Sequence, residues 1–184
     1  YVESEDEAQT LEITLLDKVK NVEVVLSYSV FDKFDAIARS VKVVNKSDDT
    51  VKIQRVLSAN VDFKDGNFEM IQLSGSWARE RHIIRTPLRS GGQCVESRRG
   101  ASSHAQNPFM ALVRPETTEN TGDAYAVSLI YSGNFLANTE VDMYNNSRLQ
   151  IGINPFDFTW QLKAGESFQA PEAVLVYSGE GLTG

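Results

Sequence analysis

Apolar residues in this chain recur at every second position. Leu11, Ile13 and Leu15 alternate with Glu12 and Thr14, and Val22, Val24, Leu26, Tyr28 and Val30 alternate with Glu23, Ser27 and Ser29. A period of two sends successive side chains to opposite faces of a strand, one dry and one wet, and does not fit the 3.6-residue repeat of a helix. Ile37, Val41 and Val43 share one side of a third run, which the polar cluster at 45–49 closes. From Val51 the pattern resumes through Ile53, Arg55, Leu57, Ala59, Val61 and Phe63, reading as one long strand ended by Asp65-Gly66. Short turns join these four runs, so the expectation is an antiparallel meander.

Further strands are expected at 68–73, 93–97, 109–114, 124–132, 135–141, 149–153, 156–162 and 173–177. Loop compositions separate them at 90–92, 100–103, 115–123, 145–146 and 163–166. No long window carries helical spacing. About a dozen short strands at this density imply an all-β fold, an antiparallel two-sheet sandwich with little helix. The 184 residues, 41% of them apolar, suffice for one domain with a full core over residues 1–184.

A net charge of −7 argues against general binding to nucleic acid or to an anionic membrane, since both need a positive field. No apolar run reaches the length of a membrane span. One cysteine, Cys94, cannot form an intrachain disulfide, which suits a reducing, cytoplasmic setting. The start at Tyr1, followed by the acidic cluster at 3–7, reads as a cut into a longer protein. Asn45-Lys46-Ser47 and Asn145-Asn146-Ser147 match the glycosylation pattern, but no secretory signal opens the chain.

Chemistry-bearing residues crowd into 75–114. Between Arg79 and Arg114 stand seven arginines (79, 81, 85, 89, 98, 99 and 114) against two acids, Glu80 and Glu96, and no lysine occurs between Lys64 and Lys163. Guanidinium is the group for planar, bidentate contacts. Both histidines, His82 and His104, lie here with Cys94 and Trp77. A thiol–imidazole couple would need these groups within hydrogen-bond reach, but a lone strand cysteine is ordinarily a small buried hydrophobe, and Cys94 is read so. His104 reads as a loop histidine tied to the backbone. Two histidines and a cysteine at this spacing match no metal site, and no metal or cofactor is expected. The carboxylates Asp32, Asp35, Asp48, Asp49, Asp62, Asp142 and Asp157 read as solvated or ion-paired, with no couple placed for glycosidic chemistry. Two readings of the arginines compete: they fix long loops by pairing with acids, or Trp77 beside Arg79 offers an aromatic face to a sugar or base.

Gly75-Ser76-Trp77-Ala78-Arg79-Glu80-Arg81, then Glu96-Ser97-Arg98-Arg99-Gly100-Ala101-Ser102-Ser103-His104 and Asn107-Pro108-Phe109, closely resemble the N-terminal domain of glycoside hydrolase family 36 α-galactosidases. Val127-Ser128-Leu129-Ile130-Tyr131-Ser132-Gly133-Asn134-Phe135, Gly152-Ile153-Asn154-Pro155-Phe156-Asp157, Gly165-Glu166-Ser167-Phe168, Pro171-Glu172-Ala173 and Tyr177-Ser178 follow in order. The resemblance is to the later part only of a galactose-mutarotase-like β-supersandwich, so that residues 1–184 read as a truncated domain; in the family that supersandwich precedes a (β/α)₈ barrel and a C-terminal β-sandwich, in a cytoplasmic homo-oligomer. It also implies a retaining hydrolysis of terminal α-galactosyl residues, as in melibiose or raffinose, by two barrel aspartates that have no counterpart here. No catalytic residue is therefore assigned. Trp77 matches the family tryptophan that reaches towards the galactose pocket and is the one substrate-binding residue assigned. Arg79, Glu80 and Arg81 read as structural. The alternative is a stand-alone carbohydrate-binding or assembly module built on the same sandwich.

Overall fold

The computed structural model describes residues 8–184, so the acidic cluster at 3–7 lies outside the described residues. Fifteen strands form: β1 (Gln9–Asp17), β2 (Val22–Phe31), β3 (Ala36–Asn45), β4 (Val51–Ile53), β5 (Leu57–Phe63), β6 (Glu69–Ser76), β7 (Arg79–Pro87), β8 (Gly91–Glu96), β9 (Phe109–Val113), β10 (Ala124–Leu129), β11 (Phe135–Val141), β12 (Ser147–Ile153), β13 (Trp160–Leu162), β14 (Ser167–Gln169) and β15 (Ala173–Ser178). A 3-10 turn at Asp32–Phe34 is the one helical element among the described residues.

All strand pairs are antiparallel, as the alternation implies. A nine-stranded sheet runs β1-β2-β3-β15-β10-β9-β6-β7, with β14 also on β3; a four-stranded sheet runs β5-β12-β11-β8; β13 and β4 form a two-stranded ribbon. The two larger sheets bury one core between them. Met110, Leu112, Val127 and Met70 from the large sheet meet Phe135, Ile151, Leu149 and Val95 from the small one. Of these, Met110, Leu112, Phe135 and Ile151 have no exposed surface at all. Phe63, Phe68 and Tyr125 close one side of this core edge to face, with centroids 4.9 to 6.0 Å apart.

The ribbon serves a second cluster. Ile53 and Leu162 pack with Val56 and Ala170 onto Val41 and Val43 of β3 and onto Val22, Val24 and Leu26 of β2. Nothing described covers β1 in the same way. Its Leu11, Ile13 and Leu15 stand in register with Tyr28, Leu26 and Val24, on the face the ribbon covers further in, yet they remain exposed.

The expected four-run meander holds for β1, β2 and β3 only. The run at 51–63 is two strands, with β4 paired to β13 and β5 to β12. It breaks at residues 54–56, where buried Val56, out of phase with the alternation, turns into the second cluster. The expected strand at 156–162 forms only at Trp160–Leu162. Strands β7 and β14 were not expected from the sequence.

Asn45, in the first glycosylation-like triplet, is fully buried and spends its amide inside the fold. Its Nδ2 donates to the Asp49 carbonyl at 2.7 Å and to the Leu162 carbonyl at 2.9 Å, while its Oδ1 accepts from the Ser47 amide at 3.0 Å. The side chain thus bolts the ribbon to the end of β3. Asn45→Ala leaves the buried Leu162 carbonyl without its donor and should cost about 1–3 kcal/mol, read as a lowered urea midpoint. An unchanged midpoint would contradict this role.

Candidate functional site

The hairpin β6–β7 carries the candidate site. Its strands pair from Glu69↔Pro87 to Ser74↔His82, then slip at Gly75 and resume with Ser76↔Arg79. Trp77 and Ala78 form the two-residue turn. Ala78 (φ 61°) and Arg81 (φ 57°) both occupy the left-handed region, which non-glycine residues adopt at a cost. Gly75 is required by contact. A Cβ there would lie 2.2 Å from the Arg79 carbonyl oxygen and 2.9 Å from the Glu80 Cα. The slip thus brings the two backbones together in a way only glycine allows.

Hydrogen bonds fix the turn from both sides. The Ala78 amide donates to Glu80 Oε1 at 2.9 Å. The Gly75 amide donates to the Ala105 carbonyl at 3.0 Å, and the Asn107 amide to the Leu73 carbonyl at 3.1 Å. That bracing loop is itself stitched down. The Ser102 amide reaches the Ser132 carbonyl at 2.8 Å, and the Gly100 amide reaches Asn134 Oδ1 at 2.7 Å. Asn134 in turn accepts from the Asn154 amide at 3.0 Å. Buried Asn154 shares its Nδ2 among Glu96 Oε2 at 2.9 Å and the Ser97 and Phe135 carbonyls, each at 3.2 Å. Four motif blocks far apart in sequence therefore meet at one end of the sandwich, and Trp77 stands at its tip with 82% of its surface exposed.

The arginines divide into two groups. Arg85 pairs with Glu69 and donates to the Thr117, Arg114 and Pro115 carbonyls at 2.7, 2.9 and 3.0 Å, so one side chain holds the loop after β9. Arg114 forks onto Asp65 at 2.7 and 3.2 Å and stacks over the Phe68 ring at 4.0 Å. Arg98 pairs with Glu96 at 2.8 Å and lies over Phe156 at 4.6 Å. These three are the loop-fixing arginines the sequence suggested. No ion pair among the described residues engages Arg79, Arg81, Arg89 or Arg99.

Two expectations are corrected. Cys94 is exposed rather than buried, because β8 is an edge strand whose phase turns Val95 inward and Cys94 out. His104 lies exposed in its loop, and its ring makes no hydrogen bond among the described residues. No hydrogen bond joins Cys94 to either histidine, and no cluster of three or more His, Cys, Asp and Glu forms among the described residues. Two of the acids are occupied structurally: Asp62 binds Arg148 at 2.6 and 3.2 Å, and Asp142 accepts from the Tyr144 and Asn146 amides at 2.8 Å each. Hydrogen bonds from Arg148 and from the Asn146 side chain hold these two carboxyls below their ordinary range.

Arg114 likewise holds the Asp65 carboxyl low through its hydrogen bonds. A depressed folded value means that the pair's stabilisation is complete above the unfolded carboxyl's pKa, about 3.9, and is lost as pH falls through the lower folded value. Asp65→Asn should flatten the loss of melting temperature below about pH 4, whereas an unchanged acid limb would contradict the pair's contribution. At the turn, Gly75→Ala should speed amide exchange across Arg79–Ile84 by about tenfold or more, while Gly92→Ala, with nothing nearer than 3.7 Å to its Cβ, should not. Equal exchange in both variants would remove the argument for a close approach.

Comparison with known proteins gives a consistent answer. The family model described as the glycosyl hydrolase family 36 N-terminal domain matches residues 1–163. α-Galactosidase AgaA of Geobacillus stearothermophilus is 53% identical over 184 residues, all of this chain and 25% of that protein. α-Galactosidase 1 of Pediococcus pentosaceus is 46% identical over 182 residues, 99% of this chain and 25% of that protein. A crystal structure of an AgaA variant in complex with stachyose superposes with a TM-score of 0.97 at 52% identity, covering 98% of this chain and 25% of that one. The chain spans about a quarter of the length of the relatives it matches.

Proposed function

Because the chain belongs to the glycosyl hydrolase family 36 N-terminal domain family, we propose that it walls the active site of a retaining α-galactosidase that removes terminal α-linked galactose from oligosaccharides. The observation that carries this reading is Trp77, 82% exposed on a turn held by a close backbone approach and hydrogen bonds on both sides. An indole in solvent loses the free energy of burial, so a rigid frame that keeps it there suits a surface that a ligand completes. Its face matches the C–H face of galactose, and its N–H can donate to a hydroxyl. The bond-breaking carboxylates belong to the barrel that the longer relatives' family carries: one attacks the anomeric carbon, and the other protonates the leaving oxygen and then activates water. The chain alone supplies neither.

We place the parent protein in the cytoplasm, a reading supported by the exposed, unpaired Cys94 thiol, which an oxidising compartment would leave open to modification. We also read it as a homo-oligomer. Support comes from the uncovered row Leu11, Ile13 and Leu15 on edge strand β1, the kind of surface that monomers rarely leave open.

On an aryl α-galactoside, the 184-residue chain should show no turnover, and the longer protein should hydrolyse the substrate. In the longer protein Trp77→Ala should lower kcat/KM about tenfold, with partial recovery in Trp77→Phe. Turnover by the isolated chain, or a Trp77→Ala enzyme as fast as the parent, would overturn the reading. Measurable galactose binding by the isolated chain would favour the stand-alone module instead.

A further inference from the structure

Strand β9 pairs with β6 only from Glu69 to Ile71, so the outer half of the β6–β7 hairpin has no third strand beside it. The loop at 97–107 takes that place. The Asn107 amide donates to the Leu73 carbonyl at 3.1 Å, Ser74 bridges to Gln106, and the Gly75 amide donates to the Ala105 carbonyl at 3.0 Å. We infer that Asn134, acting through this loop, is a positioning residue for Trp77. This rests on the reading of Trp77 above and adds to it the side chain that sets where the indole stands.

A two-stranded hairpin is marginal by itself, and burial does little for this one. Every residue of β7 except Thr86 is exposed, and so is Trp77. Among the described residues, the hydrogen bonds that reach 73–76 from outside the hairpin come from the loop. The turn therefore stands where the loop puts it.

The loop in turn is held from β11 and the residues before it. Gly100 occupies the left-handed region (φ 88°) and donates its amide to Asn134 Oδ1 at 2.7 Å. Two residues on, the Ser102 amide donates to the Ser132 carbonyl at 2.8 Å. The chain then closes on itself, with the Gln106 amide on the Ser103 carbonyl at 3.1 Å and the Ala105 amide on Ser103 Oγ at 3.2 Å. A shift at Gly100 thus passes through one short, tied turn to the Ala105 carbonyl and on to Gly75.

Asn134 is suited to this role because it is anchored on one side and free to serve the loop on the other. Its carbonyl accepts from the Asn154 amide at 3.0 Å, and Phe135, next in the chain, is fully buried. Its side chain makes one hydrogen bond among the described residues, the one to Gly100. Ser97, whose Oγ donates to the Ala101 carbonyl at 2.6 Å, and Asn154 also support the loop, but both are buried, and removing either side chain leaves buried groups unsatisfied. Asn134 is only half-buried, so its side chain can change while the core stays intact.

In the longer protein, Asn134→Ala should lower kcat/KM for an aryl α-galactoside about fivefold, less than the loss from Trp77→Ala. Asn134→Asp keeps an acceptor oxygen for Gly100 and should recover most of that loss. In a Trp77→Ala background the Asn134→Ala loss should vanish, because both residues act through one contact; a general structural defect would persist there. Amide exchange at Gly75 and Ser76 should quicken about tenfold in Asn134→Ala and stay near the parent rate in Asn134→Asp. A loss that adds in full to that of Trp77→Ala, or unchanged exchange and turnover, overturns the positioning role. If Trp77→Ala leaves turnover unaltered, the active-site reading fails instead, and the exchange rates alone decide whether Asn134 sets the turn.

Discussion

Nine strands are opposed by four, and most of the structure's particular features answer that mismatch. A sheet face is stable where a second layer removes its apolar side chains from water. Here the four-stranded layer covers the middle of the large sheet, and the β13–β4 ribbon extends the cover over β2 and β3. At the two ends the cover stops, and β1 and β7 are exposed along almost their whole length. Strand β7 is paired on one side only. Apolar burial therefore contributes little to holding it, and hydrogen bonds and ions take over. Arg85 spans from Glu69 to three carbonyls of the loop after β9, and the β6 ladder does the rest.

The same exposure suits the candidate site on the β6–β7 hairpin. A strand without a covering layer can present polar side chains and an indole without desolvating them. The difficulty is keeping such a strand in one geometry. Gly75 answers it by close packing of backbone, and the chain of contacts through Ala105, Ser102, Asn134 and Asn154 ties the turn to the buried ends of β8, β11 and β12. Substitution of Asn154, buried and remote from Trp77 in sequence, would thus be felt at the tip.

Strands with one wet face were legible in the sequence, because alternation is the direct imprint of a half-buried sheet. β2, β3, β10 and β11 follow from it, and β1 carries the alternation although its apolar row stays exposed. Strand β7 was not, for the converse reason: Arg79-Glu80-Arg81-His82 shows no alternation because neither face is buried. The break between β4 and β5 hides behind the continuous phase of Ile53, Arg55 and Leu57; the signal was Val56, an apolar residue on what should have been the wet face. Cys94 could have been placed from Val95, whose burial fixes the opposite phase for its neighbour. At the candidate site, the family motif singled out Trp77 for the proposed contact, and the structure adds that its ring is exposed at the hairpin tip. Which arginines were occupied was not legible, since Arg85 and Arg114 find partners 16 to 49 positions away that only the folded chain brings near.

The central claim is that a rigid, solvent-facing indole becomes one wall of a galactose pocket when the longer protein is assembled. It is tested most directly by a crystal structure of that protein with galactose bound. The account predicts the Trp77 ring within about 4.5 Å of the sugar's carbon atoms, with the β6–β7 turn in the geometry described above. Galactose bound in the barrel with Trp77 facing solvent, or packed against protein away from the sugar, would contradict it.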